Sequence, residues 1–343
     1  MSEVDQAIDI GASGEGTVAL RQLEPDLTSK PRTLWGDAWR RFRRHKLAMG
    51  GSAVLIFFVL AVTVGPPIYT MVRIRQAQQA GTPIPATDQT FVKMMEQLDY
   101  TAITAAPSRL HPFGTDELGR DLLARALYGG RVSLAVGVVA MLIAVSLGSV
   151  VGAVAGFFGG KVDQVLMRIA DLFLSLPVLP LLLLTVYLFR EPVTKSLGPV
   201  FGIFIIVVTM IGALAWMSTA RIVRALFLSL KQKEFVEAAI CLGVGSRAIM
   251  FRHILPNAFS PIIVAATLEI GNAIITESTL SFLGVGFPPD TPTWGRLVTD
   301  GSQFLQAASH MAIIPGMLIF LTVLSINFMG DGLRDALDPR SRL

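Results

Sequence analysis

Polar and apolar positions in this chain segregate into long blocks instead of alternating within short amphipathic elements. Predominantly apolar runs occupy about Leu47–Tyr69, Val132–Gly156, Val165–Phe189, Val200–Thr219, Ser260–Leu280 and Met311–Phe328. Each is close to the roughly 20 residues that a helix needs to cross the hydrocarbon core of a bilayer. Lipid offers backbone amides no partner, so these runs are expected as helices that satisfy themselves. The pattern predicts an all-α, polytopic integral membrane protein with six transmembrane helices.

The polar blocks between the runs set the domain order. Residues 1–33 lack any apolar period, as expected of a disordered tail. Residues 34–70 combine an interfacial helix with the first span, residues 71–131 form a long polar loop with a short helix, and residues 132–343 hold the other five spans. Trp35, Trp39 and Phe42 share a helix face, and Arg40, Arg41, Arg43, Arg44 and Lys46 crowd the rest. That combination suits anionic membrane lipid on the inner leaflet. By the positive-inside rule this end is cytoplasmic; six spans then put both termini there and the 71–131 loop outside. Arg221, Arg224, Lys231 and Lys233 mark the cytoplasmic side a second time.

Local signals refine the elements. Thr115 or Asp116 is placed to cap a helix in which Leu118, Leu122, Leu123 and Ala126 make an apolar stripe, with Arg120 and Asp121 on its polar side. Gly148, Gly152 and Gly156 recur at every fourth position, which lets another helix approach closely. Pro177 and Pro180 should bend the third span. Residues 281–310 are apolar but interrupted by glycine and proline, as in a re-entrant segment shielded by protein.

Composition agrees. The chain is 52% hydrophobic and 16% charged, against about a quarter charged in soluble domains. A net charge of +4 lies in clusters beside the spans, which does not point to nucleic acid. One cysteine, Cys241, excludes an intrachain disulfide, and four scattered histidines show no metal-ligand spacing. No signal peptide is expected.

Candidate chemistry sits in two places. Residues 221–257 form a polar island between spans. There Glu234–Cys241 reads as a short helix with Phe235, Val236, Ala239 and Ile240 on one face and Glu234, Glu237 and Cys241 on the other. Gly243 should stop it, Ser246 should cap a second helix, and Pro256 should end or kink that one. In the fifth span, Glu269, Asn272 and Thr276 fall within about 60° of one another, with Glu277 on a neighbouring face. A carboxylate at membrane depth is costly and usually faces protein or a watery cavity. The first three are candidates to line a translocation path.

The spaced set Glu237-Ala238-Ala239, Gly243 and Leu255-Pro256 resembles the "EAA" loop of ABC-importer permeases, although His253 stands where that pattern has an apolar residue. His111-Pro112-Phe113-Gly114-Thr115-Asp116-Glu117-Leu118-Gly119-Arg120-Asp121 and the later Gly-Phe-Pro-Pro and Trp-Gly elements look like the C-type members of the dipeptide, oligopeptide and nickel branch. The resemblance covers about Leu34–Leu343 and is weak over 71–107. It implies a type I ABC-importer permease fold in a prokaryotic cytoplasmic (inner) membrane. It also implies pairing with a homologous B-type permease, two ABC ATPase subunits and an extracytoplasmic substrate-binding protein, with short peptides as cargo. In that family the loop is the element that docks on the ATPase, which here implicates Glu234, Glu237, Ala238, Ala239, Gly243, Leu255 and Pro256.

No catalytic constellation is expected, and the chain is not read as an enzyme. Gly156–Val162 has the wrong glycine spacing for a phosphate loop and a valine where magnesium needs Ser or Thr. ATP and magnesium are expected on the separate ATPase subunits, and no cofactor or metal on this chain. Nickel or another small solute is the alternative cargo within the family. The rival class is an ion-coupled secondary transporter with Asp171, Glu269 and Glu277 as a relay.

Overall fold

The computed structural model describes residues 34–81, 84–85 and 88–337. The tail expected at residues 1–33 and the extreme residues 338–343 lie outside that range. Helix α1 (Leu34–Arg44) meets α2 (Lys46–Gln79) at His45, whose Nδ1 accepts the Ala48 amide proton at 3.1 Å. The basic helix does not lie free. Ala38 and Phe42 are buried against Ala48 and Ala336, while Trp39 stacks on Phe42 at 6.0 Å and stays exposed.

Helix α2 is longer than its apolar run. Its 34 residues span about 51 Å, so it continues well past Tyr69 and carries residues to Gln79 that the sequence assigned to a loop. Pro66 and Pro67 lie inside it. A proline removes the bond to the carbonyl four residues back, which orphans Val62 and Thr63. Arg131 repairs both: its Nε donates to the Val62 carbonyl and its Nη2 to that of Thr63 at 3.0 Å. The helix therefore stays continuous through a pair of prolines.

A short helix, α3 (Phe91–Glu96), precedes α4 (Leu122–Phe158). The expected cap at Thr115 or Asp116 is not made. Asp121 is the N-cap, accepting from the Leu123 and Ala124 amides at 2.9 and 3.1 Å, and it is buried, not on a polar face. Thr115 instead pairs across a turn with Asp121 as an isolated bridge, and Asp116 accepts the Leu118 and Arg120 amides at 2.9 Å. Leu118 is exposed in that turn. The two positive-φ glycines, Gly114 and Gly119, close the loop before a helix can start.

At Gly159 (φ 66°) the chain turns into α5 (Gly160–Ser175), followed by α6 (Val178–Leu197). These two are bent by 86° at Leu176-Pro177, so the third span is broken, not merely curved. Pro180 sits in the first turn of α6, where its missing amide proton costs nothing. Helices α7 (Pro199–Leu230), α8 (Glu234–Cys241), α9 (Ser246–Phe282), α10 (Trp294–Ser302) and α11 (His310–Leu337) complete the chain. Among the described residues α2, α4, α7, α9 and α11 are long and apolar enough to cross a membrane, with a sixth crossing if α5 and α6 act together.

Helix α4 packs most extensively on α7, and α9 lies against α4 and α11. The small residues decide the first contact. A Cβ on Gly148 would sit 2.6 Å from that of Thr219, and one on Gly156 would sit 2.6 Å from that of Phe227. Gly148, Gly152 and Gly156 are all buried against α7. The stripe is a packing face, as its spacing predicts.

Candidate partner-docking site

Helix α8 opens with Glu234 and Glu237 in its first turn, where negative charge complements the N-terminal amides. It closes on Gly243 (φ 76°), with the Val244 amide donating to the Ala239 carbonyl at 3.1 Å and the Gly243 amide to Ile240 at 2.9 Å. That double bond is the Schellman stop, so Gly243 ends the helix as expected. The next helix is entered differently from the expectation. Gly245 precedes it with no side-chain cap, so Ser246 is its first residue and not its cap. Pro256 neither ends nor breaks it. A π-helical turn, Ile249–Ile254, widens the helix just before Leu255-Pro256, and the Leu255 amide reaches back to Met250. The looser turn makes room for the proline ring, and Ser246–Phe282 runs on as one helix.

Only Val236 and Ala239 of α8 are buried. They pack with Phe157, Val223, Phe227, Ile249, Met250 and Ile254 in one cluster, to which Leu255 and Val244 add partly buried sides. The expected apolar face is therefore narrower than drawn: Phe235 and Ile240 lie on its flanks and are 40% and 56% exposed. Leu242 is 82% exposed beside them. Glu234, Glu237, Ala238, Gly243 and Pro256 are exposed, Leu255 and His253 half-buried. The result is a rigid two-helix knob, rooted on the α4–α7 core, whose apex mixes two carboxylates with exposed Phe, Ile and Leu. Sequence reasoning missed that outward apolar set.

The basic flank is engaged. Arg224 forms a two-pronged pair with Asp163, with Nη2 2.6 Å from Oδ2, Arg221 meets Asp171, and Lys231 donates to the Phe157 carbonyl at 2.6 Å. The second candidate set lies on α9. Asn272 is exposed, Glu269 and Thr276 are half-buried, and Thr276 donates to the Asn272 carbonyl at 2.8 Å. These three share a face that the chain covers only in part.

The model of the family described as "binding-protein-dependent transport system inner membrane component" matches residues 148–343. Residues 33–82 match the N-terminal transmembrane domain of oligopeptide transport permease C. This chain belongs to that permease family. The oligopeptide transport system permease protein OppC of Haemophilus influenzae is 41% identical, covering 91% of this chain and 90% of its own. The dipeptide permease DppC of Bacillus subtilis is 36% identical over 94% and 91%, and the glutathione permease GsiD of Pectobacterium atrosepticum is 36% identical over 90% and 92%. With its long apolar helices, the permease is a multi-pass inner-membrane protein.

Asp171 and Glu277 are held by partners on different elements. Glu277 turns away from the Glu269 face into the core. It accepts from Ser281 at 2.7 Å, Thr293 at 2.9 Å and Ser133 at 3.2 Å. Ser133 also accepts the Trp294 amide at 3.2 Å, so Glu277 ties α4, α9 and the start of α10 together. Among the described residues no hydrogen bond or ion pair joins any two of Asp171, Glu269 and Glu277. At the loop-bearing end, Arg120 and Arg125 both reach Asp116, while Arg125 and Arg296 reach Asp300 at 3.6 and 2.9 Å. Burial pushes the Asp300 carboxyl above the ordinary range against the pull of Arg296 and Arg125, and burial does the same to Glu117.

Proposed function

We propose that this permease is the C-type subunit of an ATP-driven importer of short peptides. It pairs with a homologous B-type permease, two ABC ATPase subunits and an extracytoplasmic substrate-binding protein. The observation that carries the reading is the α8 knob: carboxylates and large apolar side chains exposed on a two-helix element rooted in the helix core. An exposed cluster of this kind wants a protein partner, and a groove on an ATPase is the occupant the family supplies. The α8 end and both termini then face the cytoplasm, and the 71–131 loop faces outward. Glu234, Glu237, Ala238, Ala239 and Gly243 shape the docked surface, with Leu255 and Pro256 holding it to α9.

ATP and magnesium belong to the ATPase partners; this chain contributes no cofactor and no catalytic group. Closure of the ATPase pair moves the knob, the knob moves α7 and α9 to which it is fixed, and the spans alternate access. Glu269, Asn272 and Thr276 line the path on a face that the chain covers only in part. Peptide cargo is supported by the relatives, whose names specify oligopeptides, dipeptides and glutathione.

The test is uptake of labelled tripeptide into vesicles carrying the four kinds of subunit, with ATP and a proton gradient supplied separately. Uptake that needs ATP and every partner, and survives a proton ionophore, is the expected result. Gradient-driven uptake by this chain alone overturns the reading.

A further inference from the structure

The extension of α2 past its apolar run has a second consequence. Together with α3, Ile84, Pro85, Asp88 and Leu110 it borders an open pocket of about 750 Å³ at the loop-bearing end, within the size range of small-ligand sites. Its wall carries both signs of charge. Lys93 is tied to Asp88 at 3.1 Å, but the other two charges are not spent on each other. Arg73 donates to the Leu110 carbonyl at 3.3 Å and lies 6.0 Å over the Tyr69 ring, with no carboxylate within ion-pair distance among the described residues. Glu96 lines the same cavity with no cation partner among the described residues. Gln76 adds a side-chain oxygen that is buried in the wall and has no donor among the described residues.

A guanidinium and a carboxylate on one cavity, with no ion pair between them, complement a molecule with charges of opposite sign at its two ends. The guanidinium fork suits a carboxylate in a two-pronged pair. The Glu96 carboxylate suits an ammonium group. The Gln76 oxygen requires an N–H donor, which an amide between the two charges provides. Ile84, Pro85 and Leu110 leave apolar wall for small side chains. A chain of two or three residues spans about 7–10 Å between its termini, a length such a cavity holds.

We propose that this cavity binds short peptides with free termini, the terminal carboxylate on Arg73, the terminal ammonium on Glu96 and a peptide N–H on the Gln76 oxygen. It is an accessory site on the outer face, separate from the α9 path, and it rests on the peptide-importer reading for the identity of the zwitterion. Tyr69 connects it to the rest of the loop-bearing end: the ring stands beside Arg73 on one side and Asp121, the N-cap of α4, on the other.

The experiment measures binding of radiolabelled trialanine to the full-length chain in lipid nanodiscs by equilibrium dialysis, with no binding protein present. N-acetyl-trialanine and trialanine amide are run as competitors. Each cap is expected to weaken binding about tenfold, the loss of one charge-assisted contact. Arg73→Gln is expected to erase the penalty for amidation while keeping that for acetylation, and Glu96→Gln the reverse. Equal competition by the free and capped peptides on the unaltered protein overturns the proposal without any variant having to fold. Variants that leave both penalties in place overturn it as well. The same preparation is carried into the uptake assay. Trialanine uptake without terminus-dependent binding defeats this site and leaves the importer reading intact. Terminus-dependent binding without uptake by the full complex defeats the importer reading and leaves the site.

Discussion

Glu277 shows how one residue can hold a loop at membrane depth. Its carboxylate collects three hydroxyl donors from two helices and the turn before α10. Glu277→Ala leaves those hydroxyls buried without an acceptor, each costing about 1–3 kcal/mol. We expect thermal unfolding in nanodiscs to fall by several degrees, with Glu277→Gln recovering most of the loss because an amide oxygen still accepts. A Gln variant as damaged as the Ala variant would show that charge, not acceptance, is what the site needs. Glu117 behaves in the opposite sense. Its Oε2 is buried with no partner among the described residues, and burial raises its pKa despite the Arg120 guanidinium at 3.4 Å. A carboxyl whose folded pKa lies above its unfolded value stabilises fully below the unfolded pKa, about 4, and loses that contribution as pH rises through the folded one. Glu117→Gln cannot ionise. It should therefore unfold at a higher temperature than the parent near pH 7, and the gap should close by pH 4. A gap that widens on acidification contradicts the burial argument.

At the scale of elements, Gly243 matters because α8 ends on a left-handed residue. A Cβ there meets nothing within 4 Å, so the cost of Gly243→Val is backbone strain, about 1–2 kcal/mol or more for a β-branched side chain. The Schellman stop should loosen while the membrane helices stay folded. We expect peptide-dependent ATP hydrolysis in the assembled complex to drop at least tenfold, with unchanged amounts of the subunit in the membrane. Equal hydrolysis in parent and variant would separate the knob's geometry from coupling. This stop was legible in the sequence, as were the six apolar runs and the small-residue stripe, because each depends on local spacing. What was not legible depended on contacts far along the chain. Nothing near Pro66 and Pro67 shows that Arg131 will supply their missing bonds, and nothing near Asp121 shows that the loop before it will fold back and shift the helix start. The candidate site divides the same way. Glu237 and Gly243 could be read from a local motif, whereas the exposure of Ile240 and Leu242 follows from how little of α8 the α4–α7 core has space to cover.

For the whole molecule, the break between α5 and α6 leaves an apolar surface that the chain does not bury. Leu172 is 60% exposed and Leu176 38%, and residues 171–180 are exposed throughout. Helix α9 offers an uncovered face as well, at Asn272 and Ile275. Lipid can cover the first of these, but it covers the exposed amide of Asn272 poorly. The second permease proposed above would cover both, and would place Glu269, Asn272 and Thr276 beside the seam between subunits. The distinction is measurable because the chain has one native cysteine, Cys241. With Cys241→Ser and Leu176→Cys, a fluorophore attached at the bend should be quenched by lipids brominated along the acyl chain when the subunit is alone. Co-assembly with the homologous permease should cut that quenching by at least half, because protein replaces lipid around the label. Undiminished quenching in the assembled pair would place the bend in lipid and move the subunit seam, and with it the path, to another face of the bundle.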